Sequence, residues 1–160
     1  MTEQIISQST SALKPNTQYF EIVVGSVLGA SEYVADAVEN KLHELGHVCN
    51  VHFQPAIADI NFDNVLLVIT STHGAGDLPD NIQDFEAALH LKDLSSTRFA
   101  VIGLGDSSYD TFCQGALTMQ DTITKSGASL LLPPIHIDVL HHPVPEDEAL
   151  LYLNKVLATL

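Results

Sequence analysis

Tryptophan is absent from this 160-residue chain, cysteine occurs twice, and Lys and Arg together number six against 20 Asp and Glu. Each shortage excludes something. The formal charge is −14, so the chain repels a phosphate backbone, and neither a nucleic-acid partner nor an anionic membrane surface suits it. Cys49 and Cys113 are too few for a disulfide framework and form no Cys-x-x-Cys pair. That points to a reducing compartment and a cytoplasmic location. Met1-Thr2-Glu3-Gln4 lacks the basic region and following apolar run of a secretory signal. No run approaches the roughly 18 apolar residues of a membrane span.

What is present is patterned. Apolar residues make up 46% of the chain, enough for one domain with a real core. Residues 1–17, rich in Ser, Thr and Gln around Pro15, read as a flexible N-terminal extension ahead of a domain over 18–160. Strands are expected over 19–24, 48–53, 65–70 and 99–104, and over 129–139 with a break at Pro133-Pro134. Helices are expected over 31–45, 81–91, 111–125 and 146–160, the last led by Pro145 and by acids suited to its positive end. Alternation of strand and helix means a doubly wound parallel sheet with helices on both faces. Ligands of such sheets bind outside the carboxyl ends of the strands. The chemistry should therefore lie after strands one, three and four.

The first of these loops is Gly25-Ser26-Val27-Leu28-Gly29-Ala30-Ser31, opening directly into a helix. Its glycines and the helix N-terminus suit an anion, and Ser26 and Ser31 add hydroxyls. It is neither a Walker loop nor a Gly-x-Gly-x-x-Gly fingerprint. The second loop is Ser71-Thr72-His73-Gly74-Ala75-Gly76-Asp77-Leu78-Pro79, with Asp80 or Asn81 expected to cap the next helix. The third runs from Gly103 through Leu104, Gly105, Asp106, Ser107 and Tyr109 to Phe112 and Cys113. A tyrosine on that edge can stack on a planar ring. None of the three loops contains Lys or Arg.

Together the loops resemble those of the FMN-binding flavodoxin-like family, closest to the MioC branch and to the flavodoxin domains of diflavin reductases. The resemblance spans residues 19–160 and includes Val144-Pro145-Glu146-Asp147. It implies a flavodoxin-like α/β fold, a five-stranded parallel sheet in the order 2-1-3-4-5. It also implies that Ser26, Val27, Leu28, Gly29, Ala30 and Ser31 hold the FMN phosphate. Thr72, His73, Gly74, Ala75 and Gly76 would line the isoalloxazine ring, and Tyr109 would stack on it. Gly105, Asp106 and Ser107 would approach the ring edge, with Ser71, Leu104, Phe112 and Cys113 completing the set. Leu28 departs from the threonine many flavodoxins carry there, which removes one hydroxyl from the phosphate loop. His73 stands where some diflavin relatives carry an aromatic stacker.

The implied role is electron transfer by a monomer. A flavodoxin/ferredoxin-type reductase would be its donor, and a redox enzyme with a basic docking face, such as biotin synthase, its acceptor. The alternative is an interaction module of the same fold that does not retain FMN. A phospho-acceptor receiver domain is excluded, because no paired carboxylate follows strand one and no lysine follows strand five. His136, Asp138, His141 and His142 are read as part of a solvated loop, not a metal site, since neighbours on a strand point to opposite faces. Cys113 and Cys49 are read as small buried hydrophobes.

Overall fold

The computed structural model describes residues 16–160. Most of the segment read as an N-terminal extension therefore lies outside the described residues. β1 (Tyr19–Gly25), β2 (Val48–His52), β3 (Val65–Thr70) and β4 (Arg98–Gly105) form a parallel sheet with two short pieces, β5 (Ser129–Leu130) and β6 (Ile135–Asp138). The order is β2-β1-β3-β4-β5, with β6 also paired to β4. The arrangement is the expected 2-1-3-4-5, with its fifth strand in two parts. Leu130 pairs with Phe99 and Ile135 with Ile102, so the four residues of Leu131–Pro134 face only Ala100 and Val101. Proline donates no ladder hydrogen bond, and the double proline falls where pairing lapses.

The sheet is legible in its composition. Every residue of β3 is buried, and burying each Val, Leu or Ile there stabilises the fold by roughly 1.5–3 kcal/mol. Side chains alternate between the two faces. Phe20, Ile22 and Val24 of β1 join one core with α1 (Ala30–Glu44) and α4 (Pro145–Ala158). Val23 joins the other core with α2 (Asp80–Leu89) and α3 (Gln114–Lys125). α1 buries Val34, Ala35, Val38 and Leu42. It ends where Gly46 turns to φ 83°, with Gly46 N–H donating to His43 and His47 N–H to Leu42. That paired closure is a Schellman stop, and it needs a left-handed residue.

One strand position breaks the apolar rule. Glu21 of β1 is 1% exposed, and its carboxylate accepts Asn50 Nδ2 and the Asn61 N–H, each at 2.9 Å. These bonds offset its burial. Cys49 also differs from expectation. β2 is an edge strand, so Cys49 is only half-buried, on the side facing α1. Among the described residues no helix is long and apolar enough to cross a membrane.

Candidate functional site

The carboxyl ends of β1, β3, β4 and β6 share one edge of the sheet, and the three loops enclose a cavity of about 400 Å³ there. Val27, Leu28 and Ala30 line it from the first loop, and Ser71, Thr72, His73 and Gly74 from the second. Leu104, Gly105, Asp106, Tyr109, Thr111, Phe112 and Cys113 form the third wall, and Val139 closes it behind β6.

The first loop is a nest of N–H groups. Gly29 adopts φ 96°, and its carbonyl accepts the Glu32 and Tyr33 N–H groups of α1. Its own N–H donates to Ser26 Oγ at 3.1 Å. The Ser26 N–H donates to Asn81 Oδ1 at 3.1 Å. Among the described residues, the N–H groups of Val27, Leu28, Ala30 and Ser31 find no acceptor. Ser31 is 1% exposed and its Oγ is likewise without a partner.

Neither expected cap of α2 acts as one. The helix begins at Asp80 after Pro79, without a side-chain cap from Asp80 or Asn81. Asn81 instead accepts the Ser26 N–H of the first loop and donates to the carbonyls of Val24 in β1 and Phe53 beyond β2, at 2.6 and 2.9 Å. It is thus the clamp between β1 and α2.

The second loop closes on itself. The His73 and Asp77 N–H groups each donate to the other's carbonyl, at 2.7 and 2.8 Å. Gly74 (φ 51°) and Gly76 (φ 107°) permit the turn. Thr72 Oγ1 then accepts the Gly115 N–H of α3 at 2.9 Å.

The third loop is tied to the end of β6. Asp138 accepts the N–H groups of Ser107 and Leu140 at 3.2 and 3.1 Å, with His141 Nε2 3.6 Å away. The Ser107 bonds, aided by the Leu140 N–H and His141, hold its carboxyl below the usual range. Asp106 accepts both the N–H and the hydroxyl of Ser108, leaving Tyr109 65% exposed at the cavity mouth. Cys113 is fully buried at φ 54°. Burial, with the Asp138 charge adding, pushes its thiol up to about 12, so it stays protonated. His136 lies edge-on to Phe112, and burial lowers its pKa, which keeps the ring neutral near pH 7.

Not every expected residue lines the cavity. Ser26 and Gly29 shape the first turn, Ser31 lies beneath it, and Ser107 is exposed beside Asp138. Ala75 is exposed at the tip of the second loop, and Gly76 sits against Thr111 and Gln114. Thr111 and Val139 line the cavity although the motifs do not single them out. Position just past the end of the last strand is the available signal for Val139.

An apolar slot beside unpaired N–H groups suits a flat aromatic ring carrying an anionic tail. The comparisons agree. The sequence matches the Flavodoxin profile over residues 22–151. The chain belongs to the flavodoxin family, electron-transfer flavoproteins whose cofactor is FMN. It is 41% identical over 130 residues to protein MioC of Escherichia coli O157:H7, covering 80% of this chain and 88% of that one. It is 31% identical to the sulfite reductase [NADPH] flavoprotein alpha-component of a Shewanella species, covering 78% of this chain and 22% of that one. Among solved structures, a cysteine-to-serine mutant of flavodoxin from Pseudomonas aeruginosa superposes with a TM-score of 0.83 at 32% identity, covering 89% of this chain and 99% of that one.

The residues present fit FMN on the structure's own terms. Ser31 Oγ is an orphaned buried hydroxyl among unpaired N–H groups, a donor set that accepts a phosphate without any lysine or arginine. Leu28 is 95% exposed, so the missing threonine hydroxyl leaves the rest of the nest intact.

Proposed function

We propose that this chain holds FMN in the cavity and shuttles electrons between separate redox proteins in the cytoplasm, acting as a monomer. The carrying observation is the juxtaposition of the N–H nest over Val27–Ser31 with an apolar slot ending at Tyr109. Bound FMN supplies reversible one- and two-electron redox chemistry. The first loop receives the phosphate through N–H groups and the Ser26 and Ser31 hydroxyls. Thr72 to Gly74 present backbone to the ring, Leu104 and Gly105 approach its edge, and Tyr109 covers its outer face. Phe112, half-buried on the inner wall, limits water in the slot. No group on the chain is asked to move a proton.

The reading assigns the donor role to a flavodoxin/ferredoxin-type reductase and the acceptor role to a redox enzyme with a basic face. The likeness to MioC suggests biotin synthase. Titrating FMN with purified protein tests the cofactor. Fluorescence should be quenched with one FMN per chain, and Ser31→Ala should bind more weakly. Unquenched FMN and a colourless preparation would instead indicate an interaction module that lacks the cofactor.

A further inference from the structure

At the opposite end of the molecule from the cavity, Glu39 and His43 lie one helical turn apart late in α1, and Cys49 stands near the start of β2. One ligand atom from each, a carboxylate oxygen, an imidazole nitrogen and the thiol sulfur, all lie within 4.8 Å of one another. We propose that Glu39, His43 and Cys49 form a zinc(II) site with a fourth position left to water.

The geometry carries this. Cys49 Sγ is 3.7 Å from His43 Nε2. A tetrahedral zinc with ordinary Zn–S and Zn–N bonds sets those two atoms about 3.6 Å apart. An i, i+4 pair on a helix points its side chains along one face. Here that face looks onto the edge strand that presents Cys49, and rotation of the long Glu39 side chain closes the remaining gap. The ligand set is selective. Thiolate and imidazole together favour zinc over magnesium or calcium, which take oxygen ligands.

The electrostatics agree. Lys41, the nearest cation in sequence, pairs with Glu44 at 3.9 Å and leaves the site to its acids. Burial, with the Glu39 and Glu21 charges adding, pushes the free Cys49 thiol up to about 11; the same two negative charges draw a divalent cation, which displaces the thiol proton on binding. On coordination the thiol gives its proton to solvent, and one sulfur–zinc bond replaces the S–H bond; no electron is transferred. His43 is exposed and Glu39 half-buried, so the metal enters without opening the core.

Cobalt(II) added to the full-length protein, followed by zinc(II) competition, tests the site. One cobalt per chain should bind and produce the near-ultraviolet thiolate-to-cobalt charge-transfer band, read as a difference spectrum against the cobalt-free sample. Zinc should displace it. Cys49→Ser should abolish the band, and the two polar variants His43→Gln and Glu39→Gln should each weaken zinc binding about tenfold or more. Both polar changes lie outside the core, so a lost signal there does not reflect misfolding. Absence of the band would overturn the proposal. So would a band that survives Cys49→Ser, which would place the metal at Cys113. Unchanged zinc affinity in all three variants would assign the metal to other surface imidazoles and also overturn it.

Discussion

Asn81 satisfies an N–H on Ser26 and carbonyls on Val24 and Phe53 with a single amide. An apolar replacement of similar size leaves all three groups without that partner. Asn81→Leu should therefore lower unfolding free energy by about 1–3 kcal/mol, read from urea denaturation. It should also weaken FMN binding, because the Ser26 turn underlies the phosphate nest. Asp138 works through charge. Its folded pKa lies below its ordinary value because Ser107 and Leu140 donate to the carboxylate. A depressed carboxyl contributes stability that is fully present above its unfolded pKa and is lost as pH falls through the folded one. The wild type should therefore lose stability as pH drops below about 4, and Asp138→Asn should flatten that limb of the urea-midpoint profile. A profile of unchanged slope would show that the third loop does not draw on this carboxylate. Tyr109 is a third such case. Its ring meets solvent on one side, so Tyr109→Ala should leave stability nearly unchanged while weakening FMN binding roughly two- to tenfold, the worth of one aromatic contact.

At the scale of elements, α3 is positioned by a glycine. A Cβ on Gly115 would sit 2.7 Å from the Ser71 carbonyl and 3.2 Å from Thr72 Oγ1. Gly115→Ala should push α3 away from the second loop, costing about 1–3 kcal/mol by overpacking. Thermal unfolding reads that loss, and FMN titration reads the disturbed cavity. Elements such as β3 and the buried face of α1 are legible in the sequence, because apolar runs and 3.6-residue spacing report burial directly. What stays illegible depends on contacts distant in sequence. The pattern begins α3 at Thr111, whereas the helix begins at Gln114 after Cys113 takes φ 54°. That conformation follows the close approach of Cys113 to Gly105, which no local pattern encodes. Asn81 reads as a cap because Asn favours that role, yet its partners lie 28 to 57 residues away. Cys49 reads as core because nothing within the strand says it lies at the edge. The loop contents are more legible. The three glycine-rich segments converge on one cavity, while Thr111 and Val139 enter its lining only through the path of the folded chain.

Across the whole molecule, acids occur at both ends but the described Lys and Arg residues at only one. Among the described residues, Lys41, Lys125 and Lys155 lie late in α1, α3 and α4, Lys92 follows α2, and Arg98 opens β4. Helices in a parallel α/β fold run opposite to the strands, so all five of these positive side chains lie toward the end away from the cavity. Glu32, Asp77, Asp80, Asp106, Asp110, Asp138, Glu146, Asp147 and Glu148 lie at the other end, in the loops or in the first turns of helices. Late-helix lysines thus complement the negative ends of helices, and first-turn acids the positive ends. The consequence is an orienting field. A basic redox partner is steered to the face where Tyr109 is exposed. Stopped-flow electron transfer between the FMN-loaded protein and a basic acceptor should slow by more than about tenfold when salt rises from roughly 0.05 to 0.5 M. Asp110→Lys, at the exposed rim, should slow the low-salt rate several-fold and flatten its salt dependence. Lys41→Glu makes the net charge more negative, but it acts at the far end of α1. That end is about 20 Å from the cavity edge by helix length, beyond the Debye length of about 8 Å at physiological salt. Its rate should match the wild type there. Equal effects from the two substitutions would mean that net charge alone, and not its placement, governs the encounter.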